Sequence, residues 1–574
     1  MTDRPWTAHY VQGTRPEIDA ITHKHLADLA RQSAAKFAGQ TAFSQVMPNG
    51  MNASLTFAEI DRLSDHFAAY LREVARLAEG DRVAVQMPNC LAYPVVTLGT
   101  WKAGCVLVNT NPLYTPSEMT HQFSDSGARA LVILDMFADR LPTVLPKTQI
   151  KTVLLASISD LFPAPRAQLV RFVLKYVKKQ IPAADFTHVK LRDALKQGAG
   201  AAGKARFDDY VAGVGLDSVA ALQYTGGTTG VSKGAMLSHR NLIANTLQLA
   251  EVSRSFLREG QETVLTALPL YHIFALTVNF LLFYHLGGHD VMVPSPRPIV
   301  NLKPAWEKFP ITWFTGVNTM FVALAGEEWF RQSPPKNLVK SLAGGMALHS
   351  SAAKRWKEVT GTEVVEGYGL TETSPVATFN PIGGLVKDGI GVPLPSTDVK
   401  CVDDAGAVVP IGEPGELMVK GPQVMLGYWQ RPEETAKVIE PDGWLHTGDI
   451  AAMDEDGYFR IVDRKKDMIL VSGFNVYPNE VEEVLTKHPG IAEAAVIGMP
   501  DERSGEAVQA FIVKRDPALT ADEVLRHARE HLTAYKVPRQ VEFRDDLPKS
   551  PVGKILRKDL RPAASAKVET TATA

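Results

Sequence analysis

The sequence predicts an α/β protein, with a large N-terminal portion built on mostly parallel sheets and a small α+β portion after it. Three observations predict this. Short runs rich in valine, leucine and isoleucine alternate with amphipathic helical stretches, the pattern of sheets covered on both faces. A chain of 574 residues exceeds what one hydrophobic core supports, so two or more domains are expected. After Gly443 turns become dense, and the charged cluster "DRKKD" from Asp463 to Asp467 marks a boundary.

The elements follow in order. "LTFAEIDRLSDHFAAYLREV" is an amphipathic helix, with Thr56 and Glu59 as its capping box and Leu55 and Ile60 as a hydrophobic staple. "DRVAVQMPN" is a short apolar strand. "LAYPVVTLGTWKAGCVLVNTNP" reads as a helix, a stop at Gly104, and a buried strand. "RALVILD" and "KTVLLAS" are two more strands. "RAQLVRFVLKYVKKQIP" places Leu169, Val173 and Val177 on one helical face and Arg171, Lys175, Lys178 and Lys179 on another. It reads either as a solvated helix packed on its own domain or as a basic amphipathic helix on an anionic membrane. Phe274–Gly288 is apolar but shorter than a membrane span, so it reads as a buried helix. In the last portion "NEVEEVLTKHPG" and "TADEVLRHAREHL" are helices, the second with Thr520 and Glu523 as its capping box. "IAEAAVIGMP" and "AVQAFIVKR" are strands, and the small polar tail "AASAKVETTATA" is expected to be disordered.

Composition excludes several classes. The formal net charge is -2, which gives no electrostatic footprint for nucleic acid. Three cysteines, Cys90, Cys105 and Cys401, form no CxxC pair, so neither a disulfide framework nor a cysteine zinc site is expected. The N-terminus lacks the basic and apolar regions of a signal peptide. A reducing cytoplasm is the simplest location.

"YTGGTTGVSKG", Tyr224–Gly234, carries the chemistry. Glycines let backbone N–H groups converge on an anion, and hydroxyls add donors or ligate Mg²⁺. A Walker loop needs glycine before its lysine; here Ser232 precedes Lys233. A flexible linker is the alternative, but "ALQ" before and "AMLSHRNLIANTLQLA" after set the loop between a strand and a helix.

Extended to "YTGGTTGVSKGAMLSH", this stretch resembles the phosphate loop of the adenylate-forming enzymes: acyl-CoA synthetases, adenylation domains of peptide synthetases, and luciferases. "GYGLTETSP" (Gly367–Pro375), "DGWLHTGDI" (Asp442–Ile450), "DRKKD" and "LPKSPVGKILRKDL" (Leu547–Leu560) resemble further motifs of that superfamily in the same order. Within it the chain is most similar to bacterial long-chain fatty-acid–CoA ligases. The resemblance implies a large domain over 1–463 with two α/β subdomains and a small β-barrel-like one. It implies a small mobile domain over 464–562 and a tail over 563–574.

It also implies a reaction. A fatty-acid carboxylate attacks the α-phosphorus of ATP, and coenzyme A then displaces AMP from the acyl-adenylate. The alternative is a fatty acyl-AMP ligase, or another carboxylate-adenylating enzyme with a different acceptor. No carrier domain follows Leu560, which favours CoA. A binding protein without catalysis is disfavoured by the presence of Glu372, Asp449 and Lys554.

By resemblance, Thr225, Gly226, Gly227, Thr228, Thr229, Gly230 and Lys233 hold phosphates, and Thr228 and Glu372 hold Mg²⁺. Thr371 contacts the α-phosphate, and Tyr368, Gly345, Met346 and Gly367 form the adenine pocket. Asp449 and Arg464 hold the ribose or phosphate. Lys554 is the adenylation lysine and Lys466 the hinge. His272 and Phe274 sit on the acyl side, His272 also being readable as a satisfied core group. The family often has a lysine, linked to thioester formation in some members, at the position of Leu470, so the resemblance does not carry that role over. Partners implied are fatty acid, ATP and CoA, with an anionic membrane surface and a homodimer as further expectations and no nucleic acid.

Overall fold

Strands built from apolar runs need cover on both faces, and the chain forms two such sheets. The computed structural model describes residues 4–561 except 226–231, 346, 347, 349, 473, 502, 503 and 551–554, with the backbone alone at Arg464. One sheet has eight strands, in the order Gly427–Tyr428, Lys233–Ser238, Val219–Thr225, Val106–Asn109, Arg82–Gln86, Ala130–Leu134, Thr152–Ala156 and Val189–Lys190. The last six run parallel, and the first two join antiparallel at one edge.

The other sheet has nine strands. Its centre is parallel: Val364–Gly369, Lys340–Ala343, Trp313–Gly316, Thr263–Thr266, His289–Met292 and Thr41–Val46. Antiparallel strands extend both edges. A four-stranded antiparallel sheet follows, Asp398–Val402, Gly415–Lys420, Leu445–Met453 and Phe459–Arg464. The small C-terminal domain holds a separate sheet that starts at Ile469–Val471, with helices Pro478–Thr486 and Ala521–His531 packed on it.

Local chemistry sets the elements. Helix Phe57–Ala69 starts at the expected capping box: the Glu59 amide donates to the Thr56 hydroxyl at 3.2 Å, and the Thr56 amide donates to the Glu59 carboxylate at 2.8 Å. Leu55 and Ile60 are buried in one cluster beneath it. Thr520 and Glu523 cap helix Ala521–His531 in the same way. At Gly104 the backbone takes φ +69°, and a Cβ there would stand 2.2 Å from the Tyr210 carbonyl, so only glycine fits. Ala275–Leu281 and Leu282–His285 form a buried helical run whose Phe280 and Tyr284 rings pack on Phe43. No helix among the described residues is long and apolar enough to cross a membrane. The three cysteines are buried free thiols.

One helix differs from expectation. Ala164–Phe172 continues as a wider turn, Val173–Val177. Its packed side is Ala167, Val170 and Leu174, rather than Leu169, Val173 and Val177. Leu169, Phe172, Tyr176 and Val177 are all exposed, Val177 by 66%. The reason is periodicity: the inward positions follow the i, i+3, i+7 stripe from Ala167.

Asp290 lies in strand His289–Met292, 1% exposed, and neither carboxyl oxygen has a partner in hydrogen-bond geometry. Burial pushes its pKa up to about 7. A folded-state pKa above the unfolded one stabilises fully at acid pH, and that contribution is lost as pH rises from about 4 through about 7. Asp290→Asn is therefore expected to raise Tm at pH 8, by a few kcal/mol in stability, and to leave it nearly unchanged at pH 4. Thermal melts across that range check it; an equal effect at both pH values contradicts it.

Candidate active site

Ligands of open α/β sheets bind outside the carboxyl ends of the strands. Three connections of the nine-stranded sheet meet there: the turn 267–274 follows Thr263–Thr266, Gly344 and Gly345 follow Lys340–Ala343, and the tight turn Thr371–Thr373 follows Val364–Gly369.

Glu372 sits on that last turn. The Met425 amide donates to its carbonyl at 2.8 Å, and the Tyr428 hydroxyl donates to its carboxylate Oε1 at 2.8 Å. Burial raises the Glu372 pKa; the Tyr428 hydrogen bond and the nearby Lys233 charge oppose this, while Asp449 adds to it. Burial also pushes the Tyr428 hydroxyl up, so it stays a donor. One carboxylate oxygen is thus oriented by a neutral donor. This donor set fits Mg²⁺, which takes one or two carboxylates plus phosphate oxygens and water.

Asp449 lies in strand Leu445–Met453, 6% exposed. The Tyr368 hydroxyl donates to its Oδ2 at 2.7 Å, and the Asp449 amide donates to the Thr447 hydroxyl at 3.1 Å. Tyr368 extends from the nine-stranded sheet and Asp449 from the four-stranded one. The tyrosine therefore does more than offer a ring: it orients the acid expected at the ribose. The register sets Asp449 opposite Arg464.

Lys233 opens the strand after the glycine loop, opposite Thr225. Its ammonium pairs with Glu434, which starts no chemistry of its own, and lies 5.2 Å from the centre of the Tyr428 ring. The pair holds the Glu434 carboxyl well below the usual range.

The acyl-side turn is built on buried amides. The Asn89 side chain donates to the carbonyls of Thr266 and Leu268 at 3.1 and 2.9 Å and accepts from the Leu270 amide at 2.8 Å. The Gln223 amide donates to the Tyr271 carbonyl at 2.8 Å. In this turn His272 Nδ1 accepts from the Phe274 amide at 3.2 Å, and burial lowers its pKa to about 4. His272 is thus a neutral imidazole at pH 7 with its proton on Nε2. The Phe274 ring packs against Gly344, where a Cβ would stand 3.1 Å from it and 3.4 Å from the Gly367 carbonyl. Phe274 and Gly367 therefore meet at Gly344. Gly345 follows with φ +79°.

Lys466 lies exposed in the turn between strands Phe459–Arg464 and Ile469–Val471, and Leu470 is 48% exposed in the second strand. Gly226, Gly227, Thr228, Thr229, Gly230, Met346 and Lys554, and the side chain of Arg464, lie outside the described residues. Sequence reasoning missed Tyr428, Glu434, Asn89 and Gln223. Each is a single polar residue in a turn, a strand or, for Glu434, the short helix Pro432–Ala436, and only the fold brings it to the site. Glu366 was missed too: it precedes Gly367, accepts from the Leu348 amide at 3.3 Å, and is pushed by burial up to about 8.

Comparison with known proteins agrees with this geometry. The AMP-binding enzyme family model matches residues 30–429, and the AMP-binding enzyme C-terminal domain model matches residues 480–554. A long-chain-fatty-acid–CoA ligase of Salmonella typhimurium is 49% identical over 569 residues, covering 99% of each chain. The ATP-bound structure of MatB from Rhodopseudomonas palustris is 29% identical and superposes with a TM-score of 0.79 over 93% of this chain and 98% of that one. The apo form of that MatB, over the same shares, gives 0.71. With the two models matching in order and the site carboxylates held at the strand ends, the chain belongs to the AMP-binding enzyme family.

Proposed function

We propose that this enzyme is an AMP-forming acid–thiol ligase that converts a long-chain fatty acid to its coenzyme A thioester. The carrying observation is the convergence of Glu372, Asp449 and Lys233 in one cleft of a chain 49% identical to long-chain-fatty-acid–CoA ligases. A carboxylate is a poor electrophile because oxide would have to leave. In the first step a substrate carboxylate oxygen bonds to the α-phosphorus of ATP, and the bond to the β-phosphate bridging oxygen breaks, releasing pyrophosphate. In the second, the CoA sulfur bonds to the acyl carbon, the acyl–oxygen bond to AMP breaks, and the thiol proton leaves to solvent.

Each residue serves the charge that develops. Glu372, with Thr228, would hold Mg²⁺, which supplies charge neutralisation at the phosphates. Thr225, Gly226, Gly227, Thr228, Thr229 and Gly230 cradle the departing β- and γ-phosphates, and Thr371 the α-phosphate. Lys233, paired with Glu434, supports that loop. Asp449, oriented by Tyr368, accepts from the ribose hydroxyls, with Arg464 beside it. Gly345, Met346, Gly367 and Tyr368 bound the adenine. His272, neutral and donating through Nε2, holds the fatty-acid carboxylate without taking a proton from it, while Phe274 divides the acyl path from the nucleotide. Lys554 bridges carboxylate and α-phosphate as a point charge. A boundary at 463/464 is supported to within a few residues by strand Phe459–Arg464 ending one sheet and Ile469 starting the next. Rotation at Lys466 withdraws Lys554 between steps. With Leu470 in place of lysine, thioester formation proceeds without an ammonium at that position.

The reading extends to location: a cytoplasmic enzyme that collects substrate at the inner face of the membrane. The helical run Ala164–Val177 supports this. Its outward Leu169, Phe172, Tyr176 and Val177 are flanked by Arg166, Arg171, Lys175, Lys178 and Lys179, with no acidic residue from 161 to 184. Apolar area and positive charge together suit an anionic bilayer surface. A homodimer belongs to the same proposal and is tested by sedimentation.

Two experiments check the account. Protein with ATP, palmitate and CoA is expected to yield palmitoyl-CoA, AMP and pyrophosphate in equal amounts. Palmitoyl-AMP accumulating without CoA consumption would point instead to an acyl-AMP ligase. Replacing Arg171, Lys175, Lys178 and Lys179 by glutamine is expected to weaken binding to phosphatidylserine vesicles at low salt on the order of 1,000-fold, since each near-surface charge contributes about 1 kcal/mol. Unchanged partition rejects the membrane role.

A further inference from the structure

One buried guanidinium ties the two ends of the small domain to the last strand of the large one. Arg557, with its side chain 14% exposed, faces three carboxylates. Its Nη2 donates to Glu482 Oε2 at 2.8 Å and to Asn479 Oδ1 at 2.5 Å, and its Nε donates to Glu482 Oε1 at 3.1 Å. Its Nη1 lies 3.4 Å from Asp467 and 3.7 Å from Asp463. These groups come from different places. Asp463 is fully buried in strand Phe459–Arg464 and paired in register with Ile450 of the four-stranded sheet. Asp467 lies in the connection between domains. Glu482 and Asn479 lie on helix Pro478–Thr486 of the small domain.

Asp463 makes a second contact across that boundary: the Asn479 amide, in the first turn of the helix, donates to its Oδ2 at 2.8 Å. A carboxylate from one sheet thus caps a helix of the other domain, where the helix dipole favours it. The node holds three acids around Arg557, with Arg561 3.8 Å from Asp467 as a further cation. Without Arg557, Asp463, Asp467 and Glu482 repel one another in a site poor in water. Glu482 keeps the Val496 amide at 2.7 Å and Asp463 keeps the Asn479 amide, so Asp467, in the domain connection, is the acid released.

The segment that ends in Arg557 is the one that carries Lys554. Its return path is fixed as well: the Leu556 amide donates to the Pro548 carbonyl at 2.8 Å, and Ile555 bridges to Lys549. We propose that Arg557 is a positioning residue for the adenylation step, fixing the domain connection against Ile555–Arg557, the stretch that follows Lys554 in the sequence. That arrangement is the one whose superposition is closer to an ATP-bound relative than to its apo form. The proposal rests on the reading of Lys554 as the adenylation lysine.

The test uses the full-length enzyme and separates the half-reactions. Adenylation is followed as palmitate-dependent ATP–pyrophosphate exchange, and thioester formation as palmitoyl-CoA release from supplied palmitoyl-AMP and CoA. Arg557→Gln is expected to lower the adenylation kcat about 30-fold, with KM for ATP within about threefold and thioester formation within about threefold. Arg557→Lys restores part of the loss. Adding Asp463→Asn to Arg557→Gln restores at least about fivefold, because it removes one repelling charge while keeping an oxygen for the Asn479 amide. Equal loss in both half-reactions, or no loss in either, overturns the proposal, as does a double variant no better than the single. Lys554→Gln serves as the separate arm: if it leaves adenylation intact, the reading of Lys554 fails, whatever Arg557 does.

Discussion

Two tyrosine–carboxylate hydrogen bonds hold the active cleft together. Tyr428 to Glu372 and Tyr368 to Asp449 join three sheets that have no strand in common. Tyr428 comes from the edge of the eight-stranded sheet, Glu372 and Tyr368 from the nine-stranded sheet, and Asp449 from the four-stranded one. Both acids are kept where water is scarce. Each is oriented by a neutral tyrosine hydroxyl. Lys233 is turned to Glu434 instead.

This arrangement explains why a glycine loop without Walker spacing suffices. In a Walker loop the lysine acts from inside the loop at the β- and γ-phosphates. Here the lysine after the loop is committed to a surface pair, and the cation required at the α-phosphorus is proposed to arrive from the small domain. Delivery from another domain makes orientation part of the chemistry. A polar node at the boundary, with Arg557 among Asp463, Asp467 and Glu482, then matters as much as any residue in the cleft.

Much of this was legible in the sequence. Capping boxes at Thr56 and Thr520 set two helices because both reciprocal partners lie three residues apart. The apolar strands read correctly because burial on both faces leaves no ambiguity of register. Glu372, Tyr368 and Asp449 were visible as parts of motifs. Tyr428, Asn89 and Gln223 were not, since a lone tyrosine or amide has no local pattern, and its partner stands 48 to 181 residues away. The helix at 164–177 was misread by one face. Its apolar residues occur on both sides, and periodicity alone does not say which stripe meets the core. The glycine loop itself, where the sequence spoke most clearly, lies outside the described residues, as does Lys554.

The central claim is that Glu372, oriented by Tyr428, couples the metal to the nucleotide. Equilibrium ATP binding, measured with and without Mg²⁺ in the absence of fatty acid, tests it most directly. The wild-type enzyme is expected to bind ATP at least about tenfold more tightly with Mg²⁺. Glu372→Gln is expected to match or exceed the wild-type affinity without Mg²⁺, because one negative charge is gone, and to gain less than about threefold when the metal is added. A Glu372→Gln enzyme that keeps the full Mg²⁺ gain would contradict the account.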